Sequence, residues 1–399
     1  MQNYFRMHAW VSALKVVLSS LIGIFLIARF NIDNGYALLL PMVIIPIVYH
    51  QTIEKNLIER CLGSFLGALL GMALLMMTQN WLIYTAVIFF VMVFSMAYGT
   101  AKNIRYTMVW VFITLGLIYS TTYTDVASIE PMMVSWVENL WLGSFIYLLV
   151  DYSILSQYPF RQLEKILEHT KPDRLNFREI HILLNISKHR VPEAALSSMR
   201  QKVNQLEARY SPKTASMVQD KKPRTLTLQD FWDANKVVSA FLLTIMITSL
   251  LSLPGGFQIV VVAAVSATQP DLGHLQKKIF DRLIGLIIGV SAAVFFILIL
   301  AQIPTLWCLS LIYAGWILIT AYFGISRPDW FYFSAQAAVV VILIVALDTQ
   351  SIAPTVDIMW ERIIAIIEGY VFSFTLMALF KLKGISPSQP KPRNPSFSF

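Results

Sequence analysis

The sequence predicts an all-α integral membrane protein of about 12 transmembrane helices, arranged as two parallel six-helix repeats with a small helical cytoplasmic insert between them. The first observation is composition: hydrophobic residues make up 57% of the chain and charged residues 14%, whereas soluble chains carry about a quarter charged residues. The second is a series of apolar runs, most of them long enough to cross a bilayer. The third is a duplicated motif of charged and small residues.

The duplicated motif opens with an acidic residue and an arginine, after which small residues recur at every fourth position. Its first copy consists of Glu59, Arg60, Gly63, Gly67 and Gly71. Its second copy consists of Asp281, Arg282, Gly285, Gly289 and Ala293. A lysine precedes each arginine at nearly the same distance, with Lys15 45 residues before Arg60 and Lys236 46 residues before Arg282. Such repetition indicates two copies of one structural unit.

Each half contains six predicted spans, numbered 1 to 12 along the chain. Spans 1 to 6 cover 10–30, 35–50, 60–79, 81–99, 106–122 and 133–155. Spans 7 to 12 cover 233–253, 256–269, 280–302, 305–324, 330–347 and 358–380. A spanning helix needs about 20 apolar residues, so spans 2 and 8 are short for a full crossing.

The distribution of charge orients these spans. The connections after spans 2, 4, 8 and 10 carry lysine and arginine, whereas those after spans 3, 7 and 9 carry no charge. The positive-inside rule therefore places both termini and the even-numbered connections in the cytoplasm. Because each half has six spans, both halves insert the same way up. The formal charge of +8 then reflects this topology and contact with anionic lipid, not nucleic-acid binding.

The predicted domains follow from the spans. Residues 1–155 form the first six-helix repeat, 156–230 a cytoplasmic helical insert and linker, 231–383 the second repeat, and 384–399 a disordered tail. Within the insert an apolar stripe recurs at helical spacing and consists of Leu196, Met199, Val203, Leu206 and Tyr210. Packing of this stripe on neighbouring helices is the favoured interpretation, and a two-heptad dimerisation seam is the alternative.

Short motifs accompany the duplication. They are Ala13-Leu14-Lys15 in span 1, Gln-Pro-Asp-Leu-Gly at 269–273, the two Arg-x-x-Gly-x-x-x-Gly openings, and Arg362 seven residues before Gly369. In this order the chain resembles the fusaric acid resistance and aromatic acid exporter superfamily of bacterial inner-membrane proteins, and more distantly the plant aluminium-activated malate channels. The resemblance covers roughly 300 of the 399 residues.

The resemblance implies a multi-pass protein of the bacterial inner (plasma) membrane that exports small organic anions, often aromatic carboxylates, and is driven by the proton gradient. The first half departs from the motifs of the second half. It ends span 2 with His50-Gln51-Thr52 instead of Gln-Pro-x-x-Gly, and it has Trp136 where spacing would place the equivalent of Arg362. The two halves have therefore diverged.

Four basic residues are the candidates for a substrate or anion path, namely Lys15, Lys236, Arg60 and Arg282. The lysines lie one to two turns inside spans 1 and 7, and basic side chains inside membranes usually face protein or water. The arginines lie at the cytoplasmic ends of spans 3 and 9, where a basic vestibule would attract anions. Snorkelling of the lysines and interfacial anchoring by the arginines are the alternatives.

Two further features point to coupling and to a binding site. Glu368 lies about ten residues into span 12, where an ionised carboxylate is costly, so it is the candidate for proton coupling, with a hydrogen-bonded structural role as the alternative. Paired short or interrupted segments in two halves indicate a transporter's binding site, with packing-induced kinks as the alternative. The residues of this broken-helix site are Pro41, Pro46, Gly255, Gly256, Gln269 and Pro270.

The leading hypothesis is therefore secondary active export of small organic anions. A passive anion channel and a membrane scaffold whose insert binds a partner are the alternatives. An enzyme is not expected, since the sequence lacks Gly-x-Ser-x-Gly, a phosphate-binding loop and His-Glu-x-x-His. With two cysteines, Cys61 and Cys308, it offers no Cys/His metal cluster, and we expect no cofactor. The expected partners are a small organic anion and the bilayer; a homo-oligomer and a periplasmic adaptor stay open, and no nucleic acid is expected.

Overall fold

The computed structural model describes residues 2–48, 53–78, 80–102, 104–121, 128–155, 157–169, 191–210, 224–250 and 272–345, and isolated positions at 180–187 and 360–379. These residues form helices, and no strand occurs among them. Span 8, most of span 12 and the tail at 384–399 lie outside the described residues.

The helices in chain order are α1 (Gln2–Phe30), α2 (Gly35–Val48), α3 (Ile53–Met77), α4 (Trp81–Lys102), α5 (Arg105–Thr121), α6 (Ile129–Ser153), α7 (Tyr158–His169), α8 (Glu193–Tyr210), α9 (Leu228–Leu250), α10 (Leu272–Gln302), α11 (Leu306–Ser326) and α12 (Phe331–Ile344). A 3₁₀ turn at Pro328–Trp330 joins the last two. Helices α1 to α6 coincide with spans 1 to 6, α9 with span 7, and α10 to α12 with spans 9 to 11.

Six of the described helices are long and apolar enough to cross a membrane, namely α1, α3, α4, α6, α10 and α11. Shorter apolar helices are α2, most of α5 and α12. The chain is thus an α-helical membrane protein, and the count of 12 spans stays a prediction. Helices α3 and α10 begin seven or eight residues before spans 3 and 9. Charged residues lie near the start of each helix, such as Glu54 and Lys55 in α3. A span predicted from a continuous apolar run therefore begins later than the helix itself.

Glycine ladders bring α3 against α5 and α10 against α12, which are the two most extensive helix–helix contacts. A Cβ atom on Gly63 would lie 2.3 Å from the backbone oxygen of Thr107. A Cβ on Gly285 would lie 2.5 Å from the backbone oxygen of Phe333. The absence of a side chain therefore allows the backbones to approach closely, and both ladders face a helix.

The two helix pairs also pack in the same register. Gly67 faces Val111 and Thr114 on α5, and Gly289 faces Ala337 and Val340 on α12. The glycines of the two pairs are separated by 222 residues and their partners by 226. The same positions of the sequence pattern thus make the same contacts in each half.

The two halves exchange helices. Helix α1 packs extensively on α11, and Trp10 lies 4.6 Å from Tyr322 between ring centroids. Helix α9 packs on α4, where Phe231 lies 6.4 Å from Phe94. The first helix of each half is therefore packed against the fourth helix of the other half.

Helix α2 lies in the interior, packed on α6, α12, α1 and α11. It is one continuous helix of 14 residues, and both Pro41 and Pro46 lie inside it. Its neighbour α6 approaches so closely that a Cβ on Gly143 would lie 2.1 Å from the backbone oxygen of Leu38. A helix of this length extends about 21 Å, well short of the roughly 30 Å hydrocarbon core.

The start of α9 is fixed by a capping box. The carboxylate of Asp230 accepts hydrogen bonds from the backbone and hydroxyl of Thr227 at 2.9 and 2.7 Å, and it pairs with Arg224. Burial raises the pKa of the Asp230 carboxyl, but the bonds from Thr227 and Arg224 outweigh burial, so its pKa lies below its ordinary value. The backbone N–H of Arg224 also donates to Ala101 at the end of α4, which holds α9 beside that helix.

The insert has a small apolar core of its own. Leu196 and Val203 of α8 are fully buried and contact Leu163 and Ile166 of α7. Met199 and Leu206 pack against the same cluster. Four of the five stripe residues are thus used in packing within the insert, as the favoured interpretation expects; the Tyr210 side chain lies outside the described residues.

Candidate functional site

The first predicted cation, Lys15, lies in a buried ion pair. Its Nζ atom donates to Oδ1 of Asp151 at 2.9 Å and to the backbone carbonyl of the same residue at 3.1 Å. The side chains are 4% and 3% exposed. The pair joins α1 to the last turn of α6, across 136 residues of sequence. Lys15 therefore faces protein, and the carboxylate that neutralises it is Asp151.

The second predicted lysine has a different environment. Nζ of Lys236 lies 3.5 Å from Oδ1 of Asp233, one turn earlier on α9. The Lys236 side chain is 17% exposed and the Asp233 side chain 50% exposed. This is a local, solvated pair, which contributes much less than a buried one. The lysines match in sequence position but not in surroundings.

The two arginines are both held against aromatic rings of the helix that the glycine ladder contacts. The guanidinium carbon of Arg60 lies 3.9 Å from the centroid of the Trp110 ring, and Arg60 is 1% exposed. The guanidinium of Arg282 lies 5.5 Å from the Tyr332 ring. Such cation–π contacts replace part of the lost hydration of a buried guanidinium. Neither arginine extends freely from a helix end.

The second arginine also belongs to a polar cluster. The hydroxyl of Tyr370 donates to Oε1 of Gln336 at 3.0 Å, and Tyr370 is fully buried. The Arg282 side chain lies close enough to this hydroxyl to act on it electrostatically. By the 226-residue register, Gln336 occupies the position that Trp110 occupies in the first half. The first-half site is therefore a ring stacked on a guanidinium, and the second-half site adds hydrogen-bonding groups.

Glu368 lies among the isolated described positions of span 12, two residues before Tyr370. It is partly buried, and its Oε2 atom is buried with no hydrogen-bond partner among the described residues. An unsatisfied buried carboxylate oxygen is costly when ionised, so this surrounding favours the neutral acid. Glu368 stays the predicted residue for proton coupling.

The remaining predicted site residues divide into two groups. Pro41 and Pro46 are buried inside α2, where each removes one backbone hydrogen bond of the helix. Gly255, Gly256, Gln269 and Pro270 lie outside the described residues, as does Arg362. The structure therefore describes one half of the predicted broken-helix site.

Sequence reasoning missed Asp151, Gln336 and Tyr370. Asp151 carried a usable signal, since an acid within the span 133–155 is rare unless it is paired. Gln336 and Tyr370 carried no such signal, because single polar residues are common in apolar helices. Within the described part of the chain, no three His, Cys, Asp or Glu residues are grouped so as to hold a metal ion.

Comparison with known proteins gives a match to a protein family. Residues 242–376 match the family model described as fusaric acid resistance protein-like. That segment contains α10, α11 and α12, together with Arg282 and Glu368. No curated protein and no solved structure matched the chain.

Proposed function

We propose that this chain, which belongs to the fusaric acid resistance protein-like family through residues 242–376, is a proton-driven secondary exporter of small organic anions, aromatic carboxylates among them. The family is one of membrane transport proteins rather than enzymes. The proposed setting is the bacterial inner membrane, with both termini in the cytoplasm and 12 spans in two parallel repeats.

The repeated packing supports the proposed architecture. The helix pairs α3/α5 and α10/α12 share their glycine contacts and their register. In the contacts of α1 with α11 and of α9 with α4, the first helix of one half packs on the fourth helix of the other half. A two-fold axis along the membrane normal relates two copies in this way, and transporters often bind substrate at such a repeat interface.

The observation that carries the proposal is the burial of cations within these helices. Lys15 and Arg60 are 3% and 1% exposed, each in a helix long enough to cross the membrane. A buried cation is costly, and residues of this kind mark ion and substrate pathways in membrane proteins. Carboxylates are the small solutes whose charge such a path would complement.

Glu368 is the proposed proton carrier. Oε2 of Glu368 has no hydrogen-bond partner among the described residues, which favours the neutral carboxyl. A change in the surroundings of Glu368 during transport would let the carboxyl ionise. A passive anion channel would use the same cations but would have no need of this acid. That difference makes Glu368 the residue that separates the two functions.

The test is transport by purified protein in proteoliposomes, with labelled benzoate as the probe and an imposed pH gradient as the driving force. The wild type should accumulate benzoate beyond the level that protein-free liposomes reach through passive entry of neutral benzoic acid. Glu368→Gln should lose accumulation but keep benzoate exchange, and Glu368→Asp should retain part of the accumulation because the carboxyl remains. Glu138→Gln on the exposed side of α6 is the matched control and should behave as wild type.

Two results would decide against the proposal. Accumulation by Glu368→Gln equal to wild type would assign Glu368 a structural role and move the proton site elsewhere. Benzoate flux through the wild type that only follows its own gradient, whatever the pH gradient, would identify a passive channel. The scaffold alternative has less support, because the apolar stripe of the insert is used in its own core.

A further inference from the structure

Lys15 forms its ion pair with a residue of another helix, Asp151, whereas Lys236 forms its ion pair within its own helix. We propose that Asp151 is a tethered competitor that occupies an anion site at Lys15, and that a small transported carboxylate enters by displacing the Asp151 side chain from the lysine. This inference rests on the proposed function for the identity of the ligand as a transported anion. It goes further in assigning a binding site and the group that closes it.

The first step is the demand of the lysine for a negative partner. Lys15 is buried, and its ammonium is neutralised by a carboxylate oxygen at 2.9 Å. Removing one member of a buried ion pair leaves an uncompensated charge, which is strongly unfavourable. A state in which Asp151 leaves Lys15 is therefore unfavourable, and another anion at the same place stabilises it.

The second step is the chemical match. What Lys15 binds is the carboxylate of an aspartate, which is an acetate group fixed to the backbone. A free carboxylate presents the same two oxygens to the same ammonium. The second contact of Lys15, with the backbone carbonyl of Asp151, does not depend on the aspartate side chain and would keep the lysine in place. A site that fits one carboxylate thus fits another.

The third step is the asymmetry between the halves. Lys236 matches Lys15 in the repeat, but its carboxylate partner Asp233 lies on the same helix and is half exposed. The residue that matches Asp151 by the 226-residue register is Met377, which has no charge. Among the described residues Lys236 has no carboxylate partner on another helix, which argues against a purely architectural role for Asp151.

The fourth step is the location of Asp151 at a bend. Helix α6 ends two residues later at Ser153, and Leu155 has a positive φ of 47°. Helix α7 begins at Tyr158 and also packs on α1. The carboxylate thus sits where the membrane part joins the insert, and its release from α1 would loosen that junction.

The test uses the full-length protein in detergent and a readout that needs no transport. Asp151→Ala removes the carboxylate that faces Lys15, so sodium acetate should raise the melting temperature of this variant saturably, as binding to the folded state requires. Sodium chloride at equal ionic strength should raise it much less. Asp233→Ala is the matched control, and acetate should not stabilise it more than chloride does. The Lys15→Met/Asp151→Asn double variant removes both charges and should also show no response specific to acetate.

Equal effects of acetate and chloride on Asp151→Ala would overturn the proposal. So would a variant that cannot be purified folded even with acetate present, while the double variant purifies normally, because no free anion would then replace the side chain. In the wild type, the site is open only in the few per cent of molecules whose Asp151 side chain has left Lys15. Asp151→Ala has no side chain to close the site, so it should bind benzoate at least about tenfold more tightly. The acetate result stands even if benzoate proves not to be transported.

Discussion

At the scale of single residues, the two lysines that the repeat places at matching positions differ in their surroundings. Lys15 is buried against Asp151, whereas Lys236 shares a solvated turn with Asp233. The two matching sequence positions thus carry the same cation but have different partners. Each lysine must therefore be tested separately.

We expect Lys15→Gln to destabilise the protein by about 3–5 kcal/mol, because the Asp151 carboxylate loses the cation at 2.9 Å in a buried position. Lys236→Gln should cost no more than about 1 kcal/mol, since its pair with Asp233 is exposed to solvent. Denaturant unfolding in detergent measures both. Lys15→Gln with Asp151→Asn should recover much of the loss, and equal costs for the two single variants would contradict the assignment.

The same residues show what a sequence can and cannot predict at this scale. Charge inside an apolar run identified Lys15 and Glu368 as unusual, because the cost of a membrane-buried charge is a local property. The duplicated motif identified Arg60. The partners Asp151 and Trp110 could not be assigned. They lie 136 and 50 residues from the cations, and only the packing of α6 on α1 and of α5 on α3 brings them together.

At the scale of elements, the glycine ladders determine which helices pair. Their four-residue spacing predicted a small face on α3 and α10, and it is that face which contacts α5 and α12. The identity of the partner helix does not follow from the spacing. The helix starts were predicted less well, since the first residues of α3, 53–59, mix charged and apolar side chains and so do not form a continuous apolar run.

We expect Gly63→Ala and Gly285→Ala to separate their helix pairs, because the added Cβ would meet backbone oxygen at 2.3 and 2.5 Å. Backbone cannot move aside as a flexible side chain can, so both variants should lose about 1–3 kcal/mol of stability. Gly315→Ala on α11 is the control, as a Cβ there meets nothing within 4 Å. It should be neutral or stabilising by about 0.5–1 kcal/mol. Thermal unfolding in detergent measures all three, and similar losses for all would show that these contacts do not form.

At the scale of the whole molecule, the exchange of helices makes the halves interdependent. We expect Trp10→Cys/Tyr322→Cys and Phe94→Cys/Phe231→Cys to be linked by a short bis-maleimide, in a chain with Cys61 and Cys308 replaced by serine. Both pairs have ring centroids within 6.4 Å. A protease site is placed in the insert and cleaved after cross-linking. On a denaturing gel, linked halves run together as one band, and halves that are not linked run as two.

The control pair is Phe30→Cys/Tyr322→Cys. Phe30 is 20 residues further along α1 than Trp10, about 30 Å away at helical rise, so it should not be linked. Linkage of this pair, or none in the other two, would contradict the packing of α1 on α11.

The packing of α1 on α11 also has a consequence for how the protein is made. α1 leaves the ribosome before α11, which begins at Leu306, roughly 280 residues after α1 ends. At about 5–20 residues per second, the interval lasts about a quarter of a minute to one minute. During that time α1 must remain in lipid without its main partner. A chain truncated before Leu306 would leave α1 in that state permanently, as an orphan helix exposed to membrane quality control.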